Sequence, residues 1–218
     1  MAHSETAVIL AERVRTSRLL GQNKSLVLHG GGNTSVKIIQ KNILGEEEEI
    51  LYVKGSGWDL ETITEQGFSP VRLMHLKKLA RLSSLSDAAM VNEMVTHLTR
   101  SSAPVPSVEA ILHAVIPFPF VDHTHADAVI AISNSVEGEK IIRRLYGNRV
   151  LYIPYVMPGF DLSRVCAGQL KDELTDEMIG MILLNHGVFS LGNTADESYN
   201  RMIELVGIAE DFLRENAV

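Results

Sequence analysis

Cysteine is nearly absent from this sequence. Cys166 is the single one among 218 residues, so no disulfide bond can form within the chain. Because disulfides persist mainly in oxidising compartments, this scarcity predicts a protein of the reducing cytoplasm. Cys166 falls in a predicted helix with no histidine near it in sequence. We therefore interpret it as a core residue and not as a nucleophile.

Long apolar runs are also absent, and basic residues are outnumbered by acidic ones. No apolar stretch approaches the roughly 20 residues that a membrane-spanning helix needs. Residues 1–20 carry charges throughout, unlike a signal peptide. The chain has 20 basic and 27 acidic residues, which gives a net charge of −7. This balance argues against general binding to nucleic acids or anionic membranes.

Three well-known loop motifs are missing or incomplete. Neither the GxxxxGK[ST] phosphate loop nor the GxGxxG dinucleotide fingerprint occurs. The HGGG segment at 29–32 is typical of an esterase oxyanion loop, but no Gly-x-Ser-x-Gly segment supplies the nucleophile. A dinucleotide-binding fold and a serine hydrolase are therefore unsupported.

The spacing of apolar residues predicts one α/β domain over residues 1–218, with helices on the faces of a mixed sheet. The clearest helix spans 194–213, where Thr194 and Glu197 form a capping box. Further helices are predicted over residues 5–20, 69–82, 87–98, 127–133 and 162–174, and from 107 onward. Strands are predicted over residues 26–29, 35–39, 50–54, 120–125, 150–155, 179–185 and 188–191.

Three histidines have the composition of a mononuclear metal site. His123 and His125 are two apart on a predicted strand, so their side chains share one face and can hold one ion. His186 ends another apolar strand beside a glycine, and a sheet could bring it to the same place. Three imidazoles favour one divalent ion per chain, best zinc with one open position, although cobalt, nickel, manganese or iron would also bind. The competing interpretation of a His-x-His pair is two hydrogen-bonded histidines.

Glu109 is the candidate general base. It follows a Pro-Ser-Val segment at the start of a predicted helix that Ser107 could cap. A partly desolvated carboxylate beside a metal can have its pKa raised towards neutrality. The alternative is that Glu109 only interacts with the helix dipole. His113, one turn later, either lines the site or packs against it.

Two glycine loops, at 29–35 and 54–57, follow predicted strands and could bind an anion. Successive backbone N–H groups in such loops form an anion nest, although many glycine loops are only turns. Side-chain donors in these loops are Asn33, Ser35 and Ser56, and Lys54 adds a positive charge.

Taken in this order, the motifs resemble the class II aldolase/adducin family, and most closely the aldolase portion of rhamnulose-1-phosphate aldolase/dehydrogenase-type proteins. The segments that carry the resemblance are GGNTSVK (31–37), VKGSG (53–57), PSVE (106–109), HTHADAVIAIS (123–133) and LLNHG (183–187). The resemblance implies a three-layer α/β/α fold around a mostly antiparallel mixed sheet. It also implies a cytoplasmic homotetramer with the active site between adjacent subunits.

The same resemblance implies a function. The enzyme would cleave a ketose 1-phosphate, rhamnulose- or fuculose-1-phosphate-like, to dihydroxyacetone phosphate and an aldehyde through a metal-stabilised enediolate. Glu109 would be the acid/base. The metal ligands would be His123, His125 and His186, usually to zinc, and the substrate phosphate would be held by Asn33, Ser56, Gly57 and Ser107.

Two departures from the family pattern concern the phosphate and the proton donor. Val108 replaces the second of two serines before the glutamate, and Lys54 would compensate for it. The family's donor tyrosine comes from a neighbouring subunit, but residues 137–148 replace the segment that would carry it. Tyr146 is the first candidate for this role, followed by Tyr152 and Tyr155.

Other functions of the same scaffold stay open. Sugar-phosphate dehydratases, decarboxylases and epimerases share it. The glutamate at 109 disfavours an epimerase, because the resemblance implies aspartate at that position in epimerases. An adducin-like scaffold without catalysis is disfavoured by the presence of all three histidines. A metal-binding module without chemistry is disfavoured by a base beside an open metal position.

Overall fold

A seven-stranded mixed sheet organises the computed structural model, which describes residues 2–216. The strand order is β3-β2-β1-β4-β7-β6-β5, and every neighbouring pair is antiparallel except β5 and β6. The strands are β1 (Asn33–Lys41), β2 (Glu47–Lys54), β3 (Phe68–Arg72), β4 (Phe120–Thr124), β5 (Val150–Ile153), β6 (Gly180–Leu183) and β7 (Gly187–Gly192). The prediction of a mostly antiparallel mixed sheet is confirmed.

Helices cover both faces of this sheet. They are α1 (Ala2–Gln22), α2 (Leu73–Leu79), α3 (Asp87–Thr96), α4 (Ala110–Val115), α5 (Asp127–Ser133), α6 (Gly138–Tyr146), α7 (Phe160–Glu173) and α8 (Ala195–Glu215). Alternate strand residues enter different cores: Ile50 lies in the core on the face that α1, α5, α6 and α8 cover, and Leu51 lies on the face that α2, α3, α4 and α7 cover. These two cores make the three-layer α/β/α arrangement. Within residues 2–216, none of the helices has the length and apolar character needed to cross a bilayer.

Two elements differ from the sequence-based expectation. The predicted strand at 26–29 is a loop that joins α1 to β1. Ser69 and Pro70, predicted to start a helix, lie instead in β3. Because β3 is at the edge of the sheet, with an isolated bridge from Val71 to Leu98 on its outer side, a proline without an N–H group is tolerated there. The helix begins only after the strand, at Leu73.

The helices agree with the sequence-based expectation in part. Helix α3 begins at Asp87 as predicted, and Ser86 caps it, since its hydroxyl accepts a hydrogen bond from the N–H of Ala89 at 3.3 Å. The helix predicted to begin at Ser107 begins at Ala110, directly after Glu109. Helix α6 was not predicted at all. The predicted cap of α8 is confirmed, because Thr194 accepts from the N–H of Glu197 at 3.1 Å.

Candidate metal centre

Three histidines converge where β4 ends and where β6 turns into β7. His123 lies in β4, His125 is the first residue after that strand, and His186 lies in the turn. One ligand nitrogen from each lies within 4.8 Å of the other two. His123 is fully buried and His125 is exposed, so the cluster opens to solvent on one side. The structure therefore brings together all three of the metal ligands expected from the sequence.

His123 is oriented as a metal ligand needs to be. Its Nδ1 lies 3.1 Å from the carbonyl oxygen of Val188, to which it can donate, so Nε2 is left with a free lone pair. This Nε2 is buried without a hydrogen-bond partner. Burial lowers the pKa of His123 well below its ordinary value. A neutral imidazole with an unpartnered nitrogen facing two further histidines fits a divalent ion.

Glu109 lies against the same cluster. Its Oε2 is 3.5 Å from Nε2 of His123, and its Oε1 is 3.5 Å from Nε2 of His186. Oε2 also accepts a hydrogen bond from Nδ2 of Asn33 at 2.6 Å, whereas Oε1 is buried without a hydrogen-bond partner. Burial raises the pKa of Glu109, against the lowering effects of His186, Asn33 and Lys54. The site thus pairs a cluster of three histidines with a carboxylate of raised proton affinity.

The two glycine loops meet beside this cluster. Lys54, at the end of β2, donates to the carbonyl oxygens of Gly30 at 2.6 Å and Gly32 at 3.0 Å. Burial lowers the pKa of Lys54 to about 8. Ser56 and Gly57 are exposed, and Ser107 is half-buried with its N–H bonded to the carbonyl of Lys54 at 3.0 Å. Lys54 therefore holds the first loop in shape, while Ser56 and Gly57 of the second loop are exposed to solvent.

Two residues expected at the site are placed elsewhere. Ser35 is fully buried, and its hydroxyl lies 2.7 Å from Nδ1 of His113, so it does not face a ligand. Tyr146 is buried between α6 and α8, where its hydroxyl donates to the carbonyl of Leu205 at 2.8 Å. Neither hydroxyl is available at the surface. Tyr155, by contrast, is 55% exposed.

Sequence reasoning missed Asn185. Its φ angle is +60°, in the left-handed region that asparagine tolerates better than most residues. Its side chain donates to Oδ1 of Asn134 at 2.6 Å and to the carbonyl of Ser133 at 3.3 Å. These bonds anchor the turn that carries His186 to the end of α5. An asparagine directly before a His-Gly pair was the signal that could have revealed it.

Gly187 leaves no room for a side chain beside the histidines. A Cβ atom there would lie 2.4 Å from the carbonyl oxygen of Thr124 and 3.0 Å from Cε1 of His123. We expect Gly187→Ala to lower zinc affinity about 10- to 100-fold, as other changes around metal ligands do. Competition with a chromogenic chelator measures the affinity. Gly168→Ala is the matched control, because nothing lies within 4 Å of its added Cβ; equal affinities in both variants would contradict the prediction.

A second group, His75, Glu93 and His97, also has ligand atoms within 4.8 Å of one another. Glu93 Oε2 is hydrogen-bonded to Nε2 of His75 at 2.8 Å. The two imidazole rings stack with centroids 3.2 Å apart and planes 6° from parallel. Because an imidazole binds a metal in its own ring plane, two stacked parallel rings cannot share one ion without rotating. We interpret this group as a packing contact between α2 and the end of α3.

Known proteins resemble this chain in sequence and in fold. The family model described as the class II aldolase and adducin N-terminal domain matches residues 11–213. The N-terminal class II aldolase domain of a conserved protein from Thermoplasma acidophilum is 38% identical, with a TM-score of 0.87 over 94% of this chain and 93% of that one. L-fuculose-1-phosphate aldolase from Thermus thermophilus, at 17% identity, has a TM-score of 0.60 over 96% of this chain and 94% of that one, which supports the fold alone.

A curated relative is much longer than this chain. The uncharacterized oxidoreductase YuxG of Bacillus subtilis (strain 168) is 36% identical over 204 residues. The matched segment covers 94% of this chain and 29% of that protein. The chain therefore spans less than a third of the relative's length.

Proposed function

This chain belongs to the class II aldolase and adducin family, and from that premise we propose that it is a metal-dependent aldolase. The substrate is a ketose 1-phosphate of the rhamnulose- or fuculose-1-phosphate kind, and the products are dihydroxyacetone phosphate and an aldehyde. The observation that carries the proposal is the buried carboxylate of Glu109, 3.5 Å from two of the three clustered imidazoles.

His123, His125 and His186 would hold one divalent ion. Zinc fits three imidazoles best, and cobalt, nickel, manganese or iron would also fit. When bound, the ion would act as a Lewis acid towards negative charge that develops on the substrate oxygens. The unpartnered, buried Nε2 of His123 supports this assignment because such an atom is costly unless something binds it.

Glu109 transfers the proton to and from the third carbon of the substrate. In cleavage, the bond between the third and fourth ketose carbons breaks and its electron pair stays with the dihydroxyacetone phosphate half. Glu109 then gives a proton to the third carbon, and in the addition direction it removes that proton. Since Asn33 holds Oε2 at 2.6 Å, the unpartnered Oε1 is the oxygen free to exchange it.

The remaining groups bind the phosphate and complete the site. The hydroxyls of Ser56 and Ser107 and the backbone at Gly57 would hold the phosphate and so fix the reacting carbons in place. The two serines lie close together, because the N–H of Ser56 bonds to the carbonyl of Val105 at 2.7 Å and that of Ser107 to the carbonyl of Lys54 at 3.0 Å. The proton on the fourth-carbon hydroxyl leaves as the aldehyde forms. A tyrosine from an adjacent subunit of a homotetramer would take it, and Tyr155 is the exposed candidate because Tyr146 is buried.

Metal removal tests this proposal directly. Purified protein should hold about one divalent ion per chain and should exchange the hydroxymethyl proton of dihydroxyacetone phosphate with solvent. Chelation should abolish the exchange, and added zinc should restore it. Metal without exchange would favour the dehydratase or decarboxylase alternatives, and neither metal nor exchange would favour an adducin-like scaffold.

Two histidine variants assign the metal to its site. His123→Ala should lose the ion, because it removes a ligand whose buried Nε2 has no hydrogen-bond partner. The double variant His75→Ala and His97→Ala removes the other histidine group and should keep both metal and exchange. If His123→Ala kept the ion and the double variant lost it, the ion would lie at the α2–α3 contact.

A further inference from the structure

A line of buried polar side chains runs behind Glu109. Asn33 donates to Glu109 Oε2 at 2.6 Å, and Asn33 Oδ1 is hydrogen-bonded to Nε2 of His113. Nδ1 of His113 lies 2.7 Å from the hydroxyl of Ser35. Asn33, Ser35 and His113 are all buried, so solvent does not compete for these bonds.

The direction of every bond in this line follows from the carboxylate. An ionised Glu109 can only accept, so the NH2 group of Asn33 must face it and Oδ1 must face His113. Nε2 of His113 must therefore carry the proton that Oδ1 accepts. Nδ1 then has the lone pair, and Ser35 donates to it. One tautomer of His113 satisfies all three contacts.

A backbone hydrogen bond within α4 turns this line of side chains into a closed ring. His113 is four residues after Glu109, and its backbone N–H donates to the carbonyl of Glu109 at 3.0 Å. The two side chains are thus fixed relative to each other by one helical turn, and Asn33 in β1 bridges them. Asn33 also pairs with the metal-cluster residue His123 across β1 and β4. This ring ties Glu109 to the strand that bears His123.

We propose that His113 is a positioning residue that, through Asn33, holds one oxygen of Glu109 and leaves the other free for proton transfer. Without the His113 donor, the Asn33 amide could turn its oxygen towards the carboxylate, and the two acceptors would repel each other. The catalytic consequence rests on the proposed aldolase function, whereas the positioning itself does not.

Two variants separate positioning from packing. His113→Gln keeps a donor for Asn33 and an acceptor for Ser35, whereas His113→Leu fills space with neither. We expect His113→Leu to lower kcat for the exchange about 10- to 100-fold, with KM changed less than about threefold and metal content unchanged. His113→Gln should recover most of this loss. Ile111→Ala, also buried on α4 but packed in the apolar core with α2 and α3, is the control for lost packing; an equal loss of kcat per folded molecule there would overturn the proposal.

Two further measurements test the positioning without depending on catalytic activity. Nitrogen-15 NMR of the imidazole rings should show His113 protonated at Nε2 only, and a proton at Nδ1 instead would overturn the proposal. Crystal structures should show the Asn33–Glu109 contact kept in His113→Gln and broken in His113→Leu, and an unchanged Glu109 in His113→Leu would also overturn it. If the wild-type protein fails to exchange the substrate proton, the aldolase function falls while these two readouts still decide the role of His113.

Discussion

Glu109→Gln should nearly abolish proton exchange on dihydroxyacetone phosphate while leaving the metal in place. Glutamine has the size of glutamate, and its side-chain oxygen can still accept from Asn33, which holds Oε2 at 2.6 Å in the wild-type protein. It cannot take up the substrate proton, however. General acid–base groups contribute about 10²- to 10⁴-fold, so we expect a loss of that order, measured by NMR as the rate at which solvent deuterium enters the hydroxymethyl group.

The control for this variant is Glu93→Gln. Glu93 is likewise a carboxylate close to a histidine, but it is half-buried and lies at the α2–α3 contact, away from the three-histidine cluster. Its replacement should leave the exchange rate within about twofold of wild type, as expected for a group outside the acid–base chemistry. Unchanged exchange in Glu109→Gln would remove Glu109 from the role. Loss of the ion from that variant would instead identify Glu109 as a required ligand.

The cluster of three histidines could be predicted because short-range geometry places two of its members together. Two histidines two apart on a strand share a face whatever the rest of the fold does, and the structure keeps that relation between His123 and His125. His186 was harder to place, because its position depends on β7 pairing with both β4 and β6. That pairing is long-range, and the spacing of apolar residues does not specify it.

Ser35 shows how a strand boundary changes a site. The sequence suggested a glycine loop that lasts to residue 35, whereas β1 begins at Asn33. Asn33 and Ser35 share a face, but Ser35 is two residues further into the sheet and is covered by α4, where His113 meets it. Only the first of the two side chains therefore reaches the site. Boundaries of this kind depend on which strand the segment pairs with.

Tyr146 shows that a helix missed in the sequence also changes which side chains can reach a site. Residues 138–146 were not predicted as helical, so the tyrosine had no assigned face. In α6 it lies one turn after Ile142, and both side chains point into the core. The i, i+4 spacing of two apolar residues was the available signal. Burial follows from that spacing and removes the hydroxyl from any site at the surface.

Arg13→Ala should destabilise the fold more than any surface change. Nη2 of Arg13, on α1, lies 2.6 Å from Oδ1 of Asp122 in β4, and both side chains are fully buried. Burial lowers the pKa of Arg13 and raises the pKa of Asp122, and each opposes that effect in the other. Removal of Arg13 leaves an uncompensated buried carboxylate, which costs about 3–5 kcal/mol. Urea denaturation measures the loss in the free energy of unfolding.

Two further variants show whether the loss comes from the unpaired charge. Arg15→Ala, two residues away on α1, breaks an exposed pair with Asp196 at 2.5 Å and should cost only about 0–1 kcal/mol. The double variant Arg13→Met and Asp122→Leu removes both buried charges and should recover much of the stability, since apolar replacements of buried pairs are often neutral or better. If the double variant is as unstable as Arg13→Ala, the pair stabilises the fold through its shape and the hydrogen bonds of Arg13 to Thr16 and Ser17, not through charge compensation.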